Sequence, residues 1–408
     1  MQKQSSSIFN IAVLVAALGY FVDIYDLLLF SIIRVPSLQS LGLSKEQITT
    51  SGESIIMWQM AGLLIGGIVW GVMGDKKGRL SVLFGSIILY SIANIVNGFA
   101  QNVEQYKLIR FVAGLGLAGE LGAGITLVSE LISKEKRGIA TSLVAGIGLT
   151  GAVLAFVMKE NFYWRTCYFI GGGLGILLLL LRISVFESGM FHEVKKTGIK
   201  RGSYLMLFTN ADRFKRYLLN ILIGLPNWFV IGILVTFSDK FGEELGIKEK
   251  IDPGKSIMYA YVAISIGDVL IGFISQWLRS RKKALLLFYL ITILFIILFF
   301  TIQWNGTAER MYWICAGLGF GTGFWAIFVT MGAEQFGTNL RATAATSIPN
   351  MVRGMLTIFT LPLFKAIRNV TDYYTGGWIT AVIVFAIAIT ALFFIKETFG
   401  KDLNYLES

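Results

Sequence analysis

Long apolar runs, separated by short charged segments, recur along the whole of this 408-residue sequence. Each run is long enough to cross the roughly 30 Å hydrocarbon core of a bilayer as an α-helix. Hydrophobic residues make up 55% of the chain, more than is typical of a soluble domain. The sequence therefore predicts an all-α membrane protein with twelve transmembrane helices. Their approximate limits are 8–33, 53–73, 80–100, 105–129, 138–158, 166–186, 216–237, 256–278, 284–303, 310–333, 343–366 and 377–396.

The distribution of Lys and Arg predicts the orientation of these spans. If the N-terminus is cytoplasmic, the cytoplasmic segments carry more basic residues than the outer ones, as membrane insertion favours. Both termini are then inside the cell. The net charge of +11 reflects this topology and attraction to lipid headgroups. We expect no nucleic-acid partner, because the chain has no basic soluble module with interleaved aromatic residues.

The chain divides into two similar halves around its longest polar stretch. Residues 1–186 are the predicted N-terminal six-helix bundle, 187–215 a cytoplasmic linker, and 216–408 the C-terminal six-helix bundle. Short segments recur in both halves at matching places, which predicts two pseudo-symmetric bundles. The repeated segments are Ala113-Gly-Leu-Gly116 with Ala316-Gly-Leu-Gly319, and Glu130-x6-Arg137 with Glu334-x6-Arg341.

The loop between the second and third spans reads Gly71-Val-Met-Gly-Asp-Lys-Lys-Gly-Arg79. Its pattern of glycine, aspartate and basic residues resembles the signature loop of the major facilitator superfamily, with Leu80 in place of that loop's final basic residue. The resemblance implies alternating access, in which two bundles move around a central substrate site. It also implies a cytoplasmic gate that breaks on opening, formed by Gly71, Asp75, Gly78, Arg79, Glu130, Arg137, Glu334 and Arg341.

Further motifs resemble the sugar porters and related metabolite:proton symporters within that superfamily. One is Arg110-x2-Ala-Gly-x-Gly116-x2-Gly-Glu120, and another is the C-terminal Lys396-Glu-Thr-Phe-Gly400. Sugar porters carry a glutamine cluster on the seventh helix that binds hydroxyls. The corresponding helix here, Leu218 to Trp228, lacks this cluster, so the sequence disfavours a hexose as substrate.

Ionisable residues inside the spans are candidate sites, because burying a charge in a membrane is costly unless it is paired or hydrated. Asp23 and Asp26 lie three residues apart on the first span and share a face. The resemblance implies that Asp26 contacts Arg110 and that protonation of Asp26 releases it, which would couple transport to protons. A permanent structural ion pair is the alternative. We also expect Asp23 and Glu120 to be candidates for proton coupling, with helix packing as the alternative role for Glu120.

The eleventh span carries a polar stripe at helical spacing, and Arg353 lies in it at mid-membrane depth. A guanidinium binds carboxylates bidentately, so Arg353 is predicted to hold an anionic substrate. The alternative is an ion pair that ties Arg353 to Asp268 on the eighth span. The predicted substrate-binding residues are Arg353, Asn350, Thr346, Thr357, Asp268, Asn227 and Trp228, and Thr360 continues the stripe.

The function that these features favour is proton-coupled uptake of a small polar metabolite, more specifically an organic anion. A proton-coupled exporter of drugs or metabolites, a sugar:proton symporter and a non-transporting receptor are the alternatives. No enzyme activity, cofactor or metal is expected, because the chain lacks a Gly-x4-Gly-Lys-Ser/Thr loop and any metal-ligand cluster. We expect a monomer in a bacterial inner membrane, with a small molecule, the proton and membrane lipid as its partners.

Overall fold

Helices account for all the regular elements in the computed structural model, which describes residues 11–133, 136–181, 203–301, 304–403 and 405–407. Two short π-helical turns, Val230–Val235 and Leu356–Thr360, are inserted among the α-helices. The α-helices are α1 Ile11–Ser40, α2 Lys45–Lys77, α3 Arg79–Asn97, α4 Val103–Leu117, α5 Glu120–Leu131, α6 Arg137–Leu149, α7 Gly151–Asn161, α8 Trp164–Leu181, α9 Ala211–Phe229, α10 Ser238–Glu244, α11 Pro253–Trp277, α12 Arg281–Thr301, α13 Ala308–Thr322, α14 Trp325–Glu334, α15 Arg341–Met355, α16 Leu361–Val370 and α17 Tyr373–Phe394.

These helices form the twelve predicted spans, and the predicted fold class is confirmed. Spans 1, 2, 3 and 6 are α1, α2, α3 and α8, whereas spans 4 and 5 are the broken pairs α4–α5 and α6–α7. Span 7 is α9 with the first π turn, and spans 8, 9 and 12 are α11, α12 and α17. Span 10 is α13–α14, and span 11 is α15, the second π turn and α16. We call spans 1–6 the N-terminal half and spans 7–12 the C-terminal half.

Span 11 differs from the others in composition. Within the described residues, the other eleven spans are long and apolar enough to cross a membrane by themselves. Span 11 carries Arg341, Arg353, Lys365 and Arg368, and most of α15 is buried against other helices. Its polar side chains are therefore shielded from lipid by protein, as a polar transmembrane helix requires.

Close helix packing joins the two halves along two related seams. Span 2 packs on span 11, and span 5 packs on span 8. A Cβ atom added at Gly67 would lie 2.6 Å from Cβ of Asn350, and one at Gly272 would lie 2.7 Å from Cβ of Ser142. Glycine thus permits these helices to approach closely, which is the main way that helices gain packing energy in lipid.

Two predicted features fall partly or wholly outside the described residues. Residues 187–202 of the predicted linker lie there, and the chain is described again from Ser203, just before a short 3₁₀ turn, Tyr204–Leu207. The side chain of Arg137, at the start of α6, is also outside the described part. The predicted limits of the two bundles remain predictions.

Candidate substrate and coupling sites

A narrow cavity lies between the two halves, with walls from spans 1, 5, 7, 8, 10 and 11. Its volume is about 10 Å³, which leaves room for roughly one water molecule. This cavity is therefore too small to hold a substrate in this structure. The lining residues are Tyr20, Ile24, Leu27, Leu149, Asn227, Trp228, Tyr261, Ile264, Trp325 and Arg353.

Arg353 is the only basic residue that lines this cavity among the described residues, and its side chain is buried. The guanidinium carbon lies 5.9 Å from the ring centroid of Trp228 and 5.6 Å from that of Trp325. Both distances are within the range of cation–π attraction. Nη1 donates to Oδ1 of Asn350 at 3.1 Å. Arg353 forms no ion pair within the described part of the chain.

The ion pair between Arg353 and Asp268, considered above as an alternative, is therefore not formed in this structure. Oδ1 of Asp268 instead accepts a hydrogen bond from the backbone N–H of Ala326 at 3.0 Å. Ala326 lies in the first turn of α14, where helix backbone N–H groups lack intrahelical partners and attract negative charge. Asp268 thus stabilises the start of α14, the helix that presents Trp325 to Arg353.

Two other predicted substrate residues make structural hydrogen bonds. Asn350 donates from Nδ2 to the carbonyl oxygen of Ala118 at 2.8 Å, which links span 11 to the break in span 4. The side-chain oxygen of Asn350 also accepts the hydrogen bond from Arg353. Asn227 donates to the carbonyl oxygen of Thr322 at 3.0 Å, at the end of α13. These side chains position the cavity wall, and only Asn227 of the two lines the cavity.

A π turn falls within the predicted polar stripe on span 11. The π turn Leu356–Thr360 follows α15 directly and changes the number of residues per turn. Thr346, Asn350 and Arg353 lie in α15 at regular helical spacing, whereas Thr357 and Thr360 lie in the π turn, so their place on the stripe remains a prediction. Thr346 lies against Gly122 of span 4, since a Cβ added at that glycine would be 2.4 Å from its Oγ1.

Asp26 and Arg110 form a buried ion pair inside the N-terminal half. Nη1 of Arg110 lies 2.9 Å from Oδ1 of Asp26, and both side chains are fully buried. Arg110 also donates to the side-chain oxygens of Asn94 at 2.6 Å and Asn97 at 3.1 Å. The ring of Tyr168 lies 4.7 Å from its guanidinium carbon. Four side chains thus fix this arginine, and neither partner of the pair lines the central cavity.

Asp23 and Glu120 are also buried, in different surroundings from Asp26. Asp23 directly precedes Ile24, and Asp26 directly precedes Leu27, and both of these neighbours line the cavity. Glu120 is the first residue of α5, a position that favours a negative charge. The coupling roles of all these residues remain predictions.

On the face that carries the loop Gly71–Arg79, here called the signature-loop face, an aspartate joins the two halves. Oδ1 of Asp75 accepts from the backbone N–H of Ala342 at 3.1 Å. Oδ2 accepts from the backbone N–H of Thr343 at 2.8 Å and from its hydroxyl at 2.7 Å. A carboxylate of span 2 therefore caps the N-terminus of α15 across the seam. Gly78, with φ +104°, takes a backbone conformation that favours glycine between α2 and α3.

Charged side chains extend this contact across the same face. Glu130 binds Arg79 of its own half at 2.8 Å and Arg341 of the other half at 3.2 Å. In the C-terminal half, Glu334 binds Arg281 at 3.1 Å. Arg281 is the first residue of α12, as Arg79 is of α3, so Arg281 is the counterpart of Arg79 in the C-terminal half. The sequence analysis did not single out Arg281 as a gate residue. The predicted gate residues whose side chains are described therefore meet at one closed face.

At the opposite face, ion pairs also join the halves, but a cavity remains open there. Lys159 of span 5 lies 2.6 Å from Asp252 at the start of span 8. Glu53 of span 2 pairs with Lys365 and, at 3.6 Å, with Arg368 of span 11. The cavity at this face has a volume of about 930 Å³. Among the described residues, ion pairs and hydrogen bonds thus join the halves at the signature-loop face, the central cavity is small, and the opposite face has a large cavity.

The family model described as Major Facilitator Superfamily matches residues 11–360 of the chain. The chain belongs to the major facilitator superfamily. A proton:xylose symporter of this superfamily, solved with a bound deoxyglucose derivative, superposes with a TM-score of 0.76 at 18% identity over 98% of both chains. At that identity the match establishes the fold, whereas transport rests on the family and on the curated relatives.

Curated relatives of similar length are transporters. A protein of Haemophilus influenzae named as a putative metabolite transport protein is 26% identical and covers 96% of this chain and 97% of its own length. A niacin transporter of Acinetobacter baylyi is 28% identical, over 96% and 94%. A cis,cis-muconate transport protein of the same organism is 26% identical over 85% of each chain. This facilitator-superfamily chain is therefore a multi-pass membrane transporter of small molecules rather than an enzyme.

Sequence reasoning missed most of the residues that line the cavity, among them the aromatic residues Trp325 and Tyr20. Trp325 follows the break in span 10, and the glycine-rich stretch Gly319–Gly323 was the signal available for that break. Tyr20 lies one turn before Asp23 and Ile24 on the first span, so the helical period from Asp23 could have identified it. Trp325, by contrast, has no sequence context that distinguishes it from a packing residue.

Proposed function

We propose that this transporter couples proton entry to the uptake of a small, planar organic anion. The observation that carries the proposal is the environment of Arg353, a buried guanidinium held between Trp228 and Trp325 without an acidic partner among the described residues. A carboxylate would satisfy the charge of Arg353 by two parallel hydrogen bonds. The two indole rings would pack against a flat aromatic or unsaturated body.

The names of several relatives support this substrate class. Besides niacin and cis,cis-muconate, they include gentisate, transported by a protein of Corynebacterium glutamicum that is 24% identical over 82% of this chain. All of these compounds are small unsaturated carboxylates.

The buried pair of Asp26 and Arg110 is proposed as the proton-coupling element. When Asp26 is ionised, Arg110 is held in the network with Asn94 and Asn97. Protonation of Asp26 would remove the charge that balances Arg110 and would loosen this network. Span 1 carries Asp26 on one face and the cavity residues Tyr20, Ile24 and Leu27 on another, so a movement of span 1 would alter the cavity.

The proposal includes the direction of transport and the orientation of the protein in the membrane. The signature-loop face would be cytoplasmic, as the basic residues of that loop predict, and the open cavity would face outward. Asp75, Glu130 and Arg341 would then act as the cytoplasmic gate. The transporter would work as a monomer in a bacterial inner membrane, and residues 187–215 would link the two bundles on the inside.

Transport by purified protein in liposomes that contain a pH-sensitive dye would test the proposal. Nicotinate and nicotinamide form a matched ligand pair, because they share a ring and differ in the carboxylate. We expect nicotinate, benzoate or a similar carboxylate to acidify the lumen, whereas nicotinamide and xylose do not. Arg353→Gln should abolish this signal, because it removes the positive charge while preserving hydrogen-bonding capacity. The measurement is the initial rate of dye response against protein-free liposomes.

Lys107→Gln is the matched control, since it removes one positive charge from a residue paired with Glu104 away from the cavity. If nicotinamide or xylose acidifies the lumen with wild-type protein, and still does so with Arg353→Gln, the anion proposal is contradicted. Carboxylate uptake without any proton movement would contradict the coupling and leave the substrate class intact.

A further inference from the structure

The cavity of about 930 Å³ at the opposite face contains an arginine that the proposed function does not use. Its wall includes Arg34 of span 1, Asp239 of α10, Lys159 of span 5, and residues of the loop before span 8 such as Asp252. Arg34 lies two helical turns beyond Leu27, which lines the central cavity, or about 10 Å along the helix axis. The two cavities thus share span 1 as a common wall.

The guanidinium of Arg34 is buried, and its hydrogen-bonding capacity is mostly unused. The side chain is only 5% exposed, and Nε and Nη1 have no hydrogen-bond partner among the described residues. Within the described part of the chain it forms an ion pair with Asp239, whose Oδ2 lies 3.9 Å from Nη2, too far for a good hydrogen bond. The ring of Phe237 lies 5.1 Å from the guanidinium carbon. Buried donors without partners are costly, so a polar ligand is the expected partner.

Packing holds this side chain in place. A Cβ atom added at Gly52 of span 2 would lie 2.6 Å from Cδ of Arg34, so the stem of the arginine is packed against that helix. Two other basic side chains of the cavity wall are neutralised by acids. Lys159 binds Asp252 and Glu160, and Lys240 binds Glu243. Lys248 and Lys250 of the same wall are exposed to solvent, so among the described residues Arg34 is the buried cation of the cavity that is available to an anion.

We propose that Arg34 is a second anion-binding site, which captures the substrate carboxylate at the opposite face before the central cavity opens. Asp239 competes with the carboxylate for Arg34, because the two acids bind the same guanidinium. This inference rests on the proposed uptake of an organic anion. Capture is non-covalent, and the carboxylate moves along span 1 from Arg34 to Arg353 when the centre opens.

Uptake kinetics of radiolabelled nicotinate, or of whichever carboxylate wild-type protein transports fastest, would test the proposal in proteoliposomes. Arg34→Gln should raise KM about tenfold with kcat nearly unchanged, because it removes one charge-assisted pair from the capture step. Asp239→Asn should lower KM, because it removes the competing carboxylate. Lys107→Gln, a charge removal outside the cavity, should leave both constants unchanged.

Opposite effects of the Arg34 and Asp239 substitutions on KM distinguish capture from a structural role. An Arg34→Gln protein with the wild-type KM would overturn the inference while leaving the proposed function standing. Equal impairment by Arg34→Gln and Asp239→Asn would overturn it too, since a structural ion pair needs both partners. If Arg34→Gln fails to fold, Asp239→Asn decides by itself. A KM in Asp239→Asn that equals or exceeds the wild-type KM would then overturn the inference. Wild-type protein that takes up no carboxylate would contradict the proposed function and this inference together.

Discussion

Individual residues distinguish two kinds of buried arginine in this transporter. Arg110 is bound by an acid, two amides and an aromatic ring, so its charge is balanced within the protein. Arg353 is surrounded by two indoles and an amide and lacks an acid among the described residues. The sequence identified both arginines as membrane-embedded charges, and the family resemblance implied the contact of Arg110 with Asp26. It could not predict the amides and aromatic rings around them, because the surrounding residues on other helices come from spans 3, 6, 7 and 10.

Asp26→Asn should separate coupling from binding. The asparagine has the same shape as aspartate, but it cannot carry the proton, so uptake driven by a pH gradient should cease. Exchange of labelled for unlabelled substrate across the membrane should continue, because Arg353 is untouched. The measurement compares accumulation with counterflow in the same proteoliposomes. Arg353→Gln should lose both activities. Accumulation against a concentration gradient by Asp26→Asn would contradict the coupling role of Asp26.

Loss of one partner from a buried pair commonly costs about 3–5 kcal/mol of stability. The thermal unfolding of Asp26→Asn should therefore be measured beside its transport. Retained counterflow would show that the variant is folded, and the lost accumulation could then be assigned to coupling.

Capture at Arg34 should strengthen as the external pH falls. Burial raises the pKa of the Asp239 carboxyl, and the Arg34 guanidinium opposes this effect only partly. Asp239 therefore gains a proton at a higher pH than an ordinary carboxyl, and Arg34 is then released to bind an anion. The other charged or titratable groups that act on Asp239 are Lys240, Glu243 and Tyr373.

The expected result is a nicotinate KM that decreases with decreasing external pH in wild-type protein. In Asp239→Asn the pH dependence of KM should be weaker, since this group no longer titrates. The comparison is made in counterflow with equal pH on both sides, so that the proton gradient does not contribute. Parallel pH profiles of KM in the two proteins would contradict a role for Asp239.

At the scale of the element, glycines determine how closely neighbouring spans pack. A Cβ at Gly62 of span 2 would lie 2.1 Å from the backbone oxygen of Phe111 on span 4, a distance that requires backbone movement. A Cβ at Gly173 of span 6 would meet nothing within 4 Å. The same substitution is therefore expected to have opposite consequences at these two positions.

Gly62→Ala should destabilise the protein by about 1–3 kcal/mol, the usual effect of overpacking a tight contact. Gly173→Ala should leave the stability unchanged or slightly increased, because alanine favours a helix more than glycine does. Thermal unfolding of the two variants in detergent measures the difference. Equal unfolding midpoints would contradict close packing of spans 2 and 4.

The sequence predicted the number and type of the elements better than their ends and irregularities. Apolar length identifies a span, but α1 continues to Ser40 beyond the predicted limit of 33, which left Arg34 outside the predicted span. The π turn Leu356–Thr360 was also missed, because hydrophobic periodicity averages over several turns and does not detect one widened turn. That turn changes the helical spacing within the predicted stripe.

At the scale of the whole molecule, the contact of Asp75 with the start of α15 should govern which face is open. Asp75→Asn retains one acceptor oxygen, but its amide group would oppose backbone donors, so closure of the signature-loop face should weaken. We expect a population shift of roughly tenfold, in line with hydrogen bonds to a charged group. Reaction of a cysteine placed at the buried Thr346 with N-ethylmaleimide, after replacement of Cys167 and Cys315 by alanine, would report it.

The Asp75→Asn protein should label faster than its parent, and Lys77→Gln, which changes an exposed charge in the same loop, should not. Unchanged labelling of Asp75→Asn would contradict a gating role for this carboxylate. The sequence predicted that these residues would gather at one face, since the family motif identifies them. It could not predict the bonds to Ala342 and Thr343, because backbone donors leave no signature in a side-chain pattern.

On the signature-loop face, a charged side chain lies at one seam between the halves and a neutral side chain lies at the other. Asp75 binds the start of α15 by a carboxylate, whereas Gln276 lies at the related place beside Gly138 of α6. Nε2 of Gln276 has no hydrogen-bond partner among the described residues. Water can replace a neutral amide there at little cost, while the carboxylate must give up three hydrogen bonds. Separation should therefore begin between spans 5 and 8, and the substrate should depart on that side, past Ser142 and Gly272.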